Sequence, residues 1–279
     1  KDLSKAIELS PDDESAYFNR ALSRDHLKDY EGAIKDYTQV IEMSNSPEAY
    51  LRRGLAKYEL KDYSAAITDY TKAIELATSY AWAYNCRGIA KYFIKDFLGA
   101  TQDYSKAIEV NSEYASAYGN RGSAKYELKD YLGAIKDYDK AIEIDSNFAW
   151  AFAKRGEVKF VLNDYLGSLQ DDDKAIEIDS NDAWAYAERG RTKRELKDYR
   201  NSLLDLDKAI VIDTNYAWAY HERGRTKLKL KDDYGAISDF SKAISIDSYF
   251  TNAYYDRANA INDLGDLDGA FKDYTKTIE

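Results

Sequence analysis

Arginine recurs at positions 20, 53, 87, 121, 155, 189, 223 and 257, at one interval of 33 residues followed by six of 34. A fixed period of that size is the mark of a solenoid, in which each copy buries its apolar face only against its neighbours. Aligned on these arginines, the sequence divides into a partial repeat 1–13, full repeats 14–46, 47–80, 81–114, 115–148, 149–182, 183–216 and 217–250, and an incomplete repeat 251–279. A single array over 1–279 is expected. Its first residue falls at repeat position 22 and its last at position 29, both inside helices, as in an excerpt of a longer protein without capping helices.

Within each repeat, numbered 1 to 34, the residues follow helical spacing. Positions 3, 7, 10 and 14 share one face; position 3 is Ala in all eight copies and position 14 is Leu or Ile. Positions 20, 24, 27 and 28 form a second stripe, with Ile at 28 from Ile7 to Ile278. Each repeat therefore predicts a helical hairpin. Gly at position 8 in six repeats costs about 1 kcal/mol of helix stability each, which points to a tight helix crossing. Segments such as IDSNFA (144–149) and IDTNYA (212–217) place Asp, Ser or Thr, and Asn ahead of the next helix as N-cap residues.

The stretch AYNCRGIAKYFIKDFLGATQDYSKAIEVNSEY and its sister copies resemble the tetratricopeptide repeat (TPR) over the whole chain, in an R-G-x-A-K variant. The family pattern has an aromatic at 4, small residues at 8, 20 and 27, an aromatic at 24 and a helix-breaking turn near 32. In repeat 115–148 these are Tyr118, Gly122, Ala134, Ala141, Tyr138 and Ser146. The resemblance implies an all-α fold, an α-solenoid: a right-handed superhelix of antiparallel helix pairs. Its concave groove, lined by positions 2, 5, 6, 9, 12 and 13, would bind an extended peptide or a partner helix. The carboxylate clamp of co-chaperones in this family requires Lys at position 5, which no repeat here has.

Charges interrupt the apolar stripes. Arg occupies position 7 in all eight repeats, and Asp occupies position 23 at Asp2, Asp36, Asp69, Asp103, Asp137, Asp171, Asp205, Asp239 and Asp273. An unpaired buried charge is prohibitive, so opposite charges on facing helices predict an internal ladder of ion pairs. A catalytic cluster is the competing reading, and eight equal copies argue against it. Lys at position 11 in six repeats either joins the ladder or snorkels to its edge.

The formal charge of −10 and a pI near 4.9 disfavour nucleic acid and anionic membrane as partners. No apolar run is long enough to span a membrane, and a soluble chain is expected, with cytoplasm favoured. Cys86 is the only cysteine, and His26 and His221 are the only histidines, so no metal site and no cofactor are expected. No phosphate-binding Gly loop, catalytic triad or zinc spacing is present, and no enzymatic activity is expected.

Two groups of groove positions stand out. Trp184, Arg191, Arg194, Trp218, His221 and Arg225 form a basic and aromatic surface, and Tyr58, Trp82 and Tyr92 form a mostly apolar one. Trp at position 2 either faces the groove or packs against the neighbouring repeat. A protein or peptide ligand with acidic residues and an aromatic anchor suits the first group, since Arg beside Trp is typical of interface hot spots. Three classes of function follow: a non-catalytic interaction scaffold, a regulatory or targeting segment of a larger enzyme, or a rod self-associating through uncapped ends.

Overall fold

The computed structural model describes residues 2–278 as α-helices joined by short turns. The chain divides into two compact bodies, 1–145 and 146–279. The first contains α1 (Asp2–Leu9), α2 (Glu14–His26), α3 (Tyr30–Ser44), α4 (Pro47–Glu59), α5 (Tyr63–Leu76), α6 (Ala81–Phe93), α7 (Phe97–Val110), α8 (Ala115–Glu127) and α9 (Tyr131–Ile144). The second contains α10 (Ala149–Val161), α11 (Tyr165–Ile178), α12 (Ala183–Glu195), α13 (Tyr199–Ile212), α14 (Ala217–Lys229), α15 (Asp233–Ile246), α16 (Thr251–Asp263) and α17 (Leu267–Lys276). In each body, the first helix of a repeat packs against its own second helix and against the second helix of the repeat before it. The all-α solenoid arrangement expected from the sequence is present in both bodies.

Every second helix from α3 to α17 begins at an Asp N-cap whose carboxylate accepts a backbone N–H three residues on, as Asp130 does from Gly133. Of the first helices, α2, α4 and α12 begin at Asp13, Ser46 and Asp182 caps as the sequence leads one to expect, and five begin differently. Tyr80, Tyr114, Phe148, Tyr216 and Phe250 hold the N-cap positions without a side-chain cap. The preceding Asp or Asn instead folds the turn, as where Asp213 Oδ1 accepts from Asn215 N at 2.9 Å. The aromatic gives up a cap worth about 1 kcal/mol and packs on position 2: the Tyr80–Trp82 and Tyr216–Trp218 ring centroids lie 6.4 and 5.9 Å apart. Position 14 also departs from its expected stripe. Leu60 and Leu128 are C-cap residues, 47% and 44% exposed.

The cores are built from Ala and one large side chain per hairpin. Tyr70, Tyr104, Tyr138 and Phe240, at position 24, lie on the glycine at position 8 of the facing helix. A Cβ on Gly122 would sit 2.9 Å from Tyr138 Cε1, so an alanine there would push the ring aside. In repeat 149–182 the same place holds Asp172, fully buried, with Oδ1 lacking a hydrogen-bond partner.

The predicted ladder is present in all eight repeats containing the arginine. Arg121 donates from Nε to Asp137 Oδ2 at 2.9 Å and from Nη2 to Oδ1 at 2.7 Å, and the other seven pairs repeat this fork. The Asp2 side chain lies outside the described residues. Lys at position 11 joins the ladder: Lys57, Lys91, Lys125, Lys159, Lys193 and Lys227 reach the same carboxylate at 2.7–2.8 Å. Each arginine also lies 5.4–5.7 Å from the ring centroid of the aromatic at position 4. A further arm, Nη1, reaches position 25 of the preceding repeat, as from Arg53 to Thr38 and from Arg223 to Asp207.

Candidate functional site

With every ladder arginine paired inside the hairpins, the groups left to meet a partner lie on the face where consecutive first helices touch. In the second body these helices are α10, α12, α14 and α16. Position 2 of one helix faces positions 6 and 9 of the helix before. Lys154 Nζ accordingly lies 4.1 Å from the Trp184 ring centroid. Arg191 lies 3.6 Å from the ring centroid of Phe160 and 6.0 Å from that of Trp218. Both tryptophans are half-buried against the neighbouring repeat while keeping part of their surface on the face.

The acidic residues at position 6 reorganise the basic cluster. Arg191 Nη1 pairs with Glu188 Oε2 at 3.0 Å. Glu188 is buried, and desolvation pushes its carboxyl up to about 7 although Arg191 and Lys154 favour its charged form. Arg194 is also buried, donating to Glu222 and to Glu195. Burial opposes ionisation of Glu222, but the close contact with His221 and the Arg194 and Arg225 charges outweigh it and hold the carboxyl well below its ordinary range.

His221 is 4% exposed, with Nε2 at 2.8 Å from Asp256 Oδ2 and Nδ1 at 3.4 Å from Glu222 Oε1. Arg194 and His221, both expected as groove contacts, are thus placed inside the face, where they order their neighbours. Arg225 remains on the surface, its side chain 43% exposed. It lines an open cavity of about 350 Å³ together with Leu228, Lys229, Lys231 and Asp256.

Lys231 and Asp256 were not among the expected site residues. Lys231 sits in the turn after α14 with φ of +65°, and Asp256 belongs to the following repeat. Position counting within one repeat brings neither beside Arg225.

The first body separates the apolar group into two places. Tyr58 and Tyr92 stand at the C-terminal ends of α4 and α6, in a ring cluster with Tyr63, Phe93 and Phe97 at centroid distances of 5.2–6.2 Å. Trp82 lies at the N-terminal end of α6, beneath Arg52 at 5.0 Å. Burial pushes the Cys86 thiol up to about 12, and no metal-holding group of three His, Cys, Asp or Glu side chains occurs among the described residues. Among those residues no helix is long and apolar enough to cross a membrane.

Helix pairs of this repeat length, with their small-residue crossings, define the class as a TPR solenoid. The sequence matches the TPR repeat over residues 54–92 and 122–163 and the tetratricopeptide repeat over 14–47 and 219–250, together more than half of the chain. The chain belongs to the TPR family, whose members serve generally as protein-interaction scaffolds. No curated protein matches it.

Among solved structures, it is similar to a tetratricopeptide repeat protein from Parabacteroides merdae ATCC 43184, with 17% identity and a TM-score of 0.71 over 95% of this chain and 99% of that one. The APC/C hetero-tetramer Cut9-Hcn1 gives 12% identity and a TM-score of 0.73, over 98% of this chain and 54% of that one. YrrB, a TPR protein with an unusual peptide-binding site, gives 24% identity and a TM-score of 0.51, over 66% of this chain and 95% of that one. At these identities the likeness concerns the fold.

Proposed function

We propose that the chain is a non-catalytic interaction module whose first-helix face in the second body binds an acidic segment of a partner protein carrying an aromatic or apolar anchor. The observation that carries this reading is the cavity beside Arg225. Three cationic side chains and Leu228 converge there against one carboxylate, in a chain whose net charge is −10. A locally positive recess on a negative protein attracts an acidic ligand, while the rest of the surface repels it and so confines it to that place. The neighbouring Trp218, with Arg191 beside it, supplies a platform for an apolar anchor. YrrB, described as a TPR protein with an unusual peptide-binding site, supports this reading through the shared fold.

The test is fluorescence anisotropy with a labelled peptide of alternating glutamate and tryptophan, across a salt series. Arg225→Glu/Lys229→Glu is expected to weaken binding by about tenfold or more and to flatten the salt dependence. Binding that is unchanged by the double substitution and indifferent to salt would place the interaction elsewhere, with the Tyr58–Tyr92–Phe93 cluster as the next surface to test.

A further inference from the structure

His221 stands between two carboxylates. On α14 its Nδ1 faces Glu222 Oε1 at 3.4 Å, and toward α16 its Nε2 meets Asp256 Oδ2 at 2.8 Å. Only Nε2 is hydrogen-bonded, and Nδ1 is buried without a hydrogen-bond partner; a neutral ring can keep its one N–H on Nε2 but then turns a bare lone pair toward Glu222, so the two carboxylates together favour the imidazolium. The other elements around the ring bring no further carboxylate to it. Phe240 of α15 and Phe250 of the α15–α16 turn face it with their rings, at 5.6 and 4.9 Å. Arg194 of α12 acts on it through Glu222, and Arg225 of α14 lies beside both acids, with Nη1 3.4 Å from Glu222 and Nε 3.8 Å from Asp256.

Asp256 is therefore shared. Its carboxylate is hydrogen-bonded by His221 and lies close to Arg225, the residue that lines the cavity. We propose that His221 is a proton-operated control on ligand binding: as an imidazolium it offsets the charge of Asp256 and leaves Arg225 available to an acidic segment, and on deprotonation the neutral ring keeps its N–H on Asp256 but no longer offsets that charge, so Asp256 engages Arg225 and repels the segment. This rests on the reading of the Arg225 cavity as the binding site. Burial lowers the histidine's proton affinity, but its bond to Asp256 and the nearby charge of Glu222 outweigh that, so the net displacement is upward from the ordinary value. The loss of binding is accordingly expected above the pH at which an ordinary histidine titrates.

The experiment follows the glutamate–tryptophan peptide by anisotropy from pH 6 to 9, a range in which the peptide's own carboxylates stay ionised, alongside NMR titration of the His221 ring in the free chain. Glu188 titrates in the same interval on the same face, so the series is run in a Glu188→Gln background. Removing one cation near the ligand should weaken binding about three- to tenfold as pH rises, with an inflection at the pH where the His221 resonances move. Asp256→Asn, at a part-exposed site that can take the change without unfolding, should bind with little pH dependence. Retention of the full pH dependence in Asp256→Asn, or its absence in the Glu188→Gln parent, would overturn the switch while leaving the binding site in place. A peptide that binds at no pH would overturn the site reading and the switch with it.

Discussion

Arg121 and Asp137 are joined by two parallel hydrogen bonds across the α8–α9 hairpin, and Lys125 approaches the same carboxylate at 2.8 Å. Asp137 is 4% exposed, so removing it strands a guanidinium and an ammonium inside the hairpin. Asp137→Ala is expected to cost about 3–5 kcal/mol, as for other broken buried ion pairs. Glu143→Ala, which removes an exposed partner of Lys140, should change stability by less than about 0.5 kcal/mol. Urea unfolding of the two variants decides the matter, and coincident curves would refute a structural ladder.

Gly122 and Tyr138 should prove energetically coupled. Gly122→Ala drives a methyl into the ring and is expected to cost about 1–3 kcal/mol. Combined with Tyr138→Ala, which removes the ring that the methyl would strike, the double variant should lose less than the sum of the two single losses. A double-mutant cycle on unfolding free energies reads the coupling directly.

Asp172 makes the second body sensitive to pH. Burial is the largest cause holding its carboxyl well above the ordinary range, and Glu188, Asp171 and Asp173 add to it while Arg189 opposes. The folded chain keeps this proton where the unfolded chain has released it. The contribution is therefore complete below the unfolded value of about 3.9 and declines as pH rises through the folded one. Asp172→Leu, which copies Leu206, should remove that slope and stabilise the body at neutral pH by about 1–3 kcal/mol. Melting temperatures of the two proteins from pH 4 to 8 should diverge upward in pH, and parallel curves would count against the assignment.

Asp182 caps α12 from the place where other first helices carry an aromatic, accepting from Trp184 N at 2.9 Å and Ala185 N at 3.1 Å. Asp182→Ala should cost about 1 kcal/mol. Hydrogen exchange should localise the loss to the first turn of α12.

Much of this architecture is legible in the sequence because a buried charge must find a partner. Arg at position 7 and Asp at position 23 could be paired from their recurrence alone, as could the small residues at the crossings. What escaped was set by the neighbouring repeat. Position 25 looks solvent-facing within its own hairpin, yet Asp173 and Asp207 accept from Arg189 and Arg223 at 2.7 Å. Arg194 reads as a groove residue until Glu222, 28 residues later, draws it inside. The first-helix caps were misjudged for a related reason: packing of Tyr216 on Trp218 outweighs the hydroxyl and carboxylate groups that propensity favours.

The third arm of the ladder arginines also bears on how such a chain can grow. Each junction is half owned by one repeat and half by the next: Arg87 reads Thr71, Arg121 reads Ser105 and Arg257 reads Ser241. Duplication or deletion of one full period, wherever it begins, leaves every arginine facing some position-25 acceptor. The copies are nonetheless not interchangeable. A hydroxyl junction carries no charge, whereas the Asp173 and Asp207 junctions add a carboxylate, so exchanging repeats between the two kinds would alter the local charge balance even with the fold preserved.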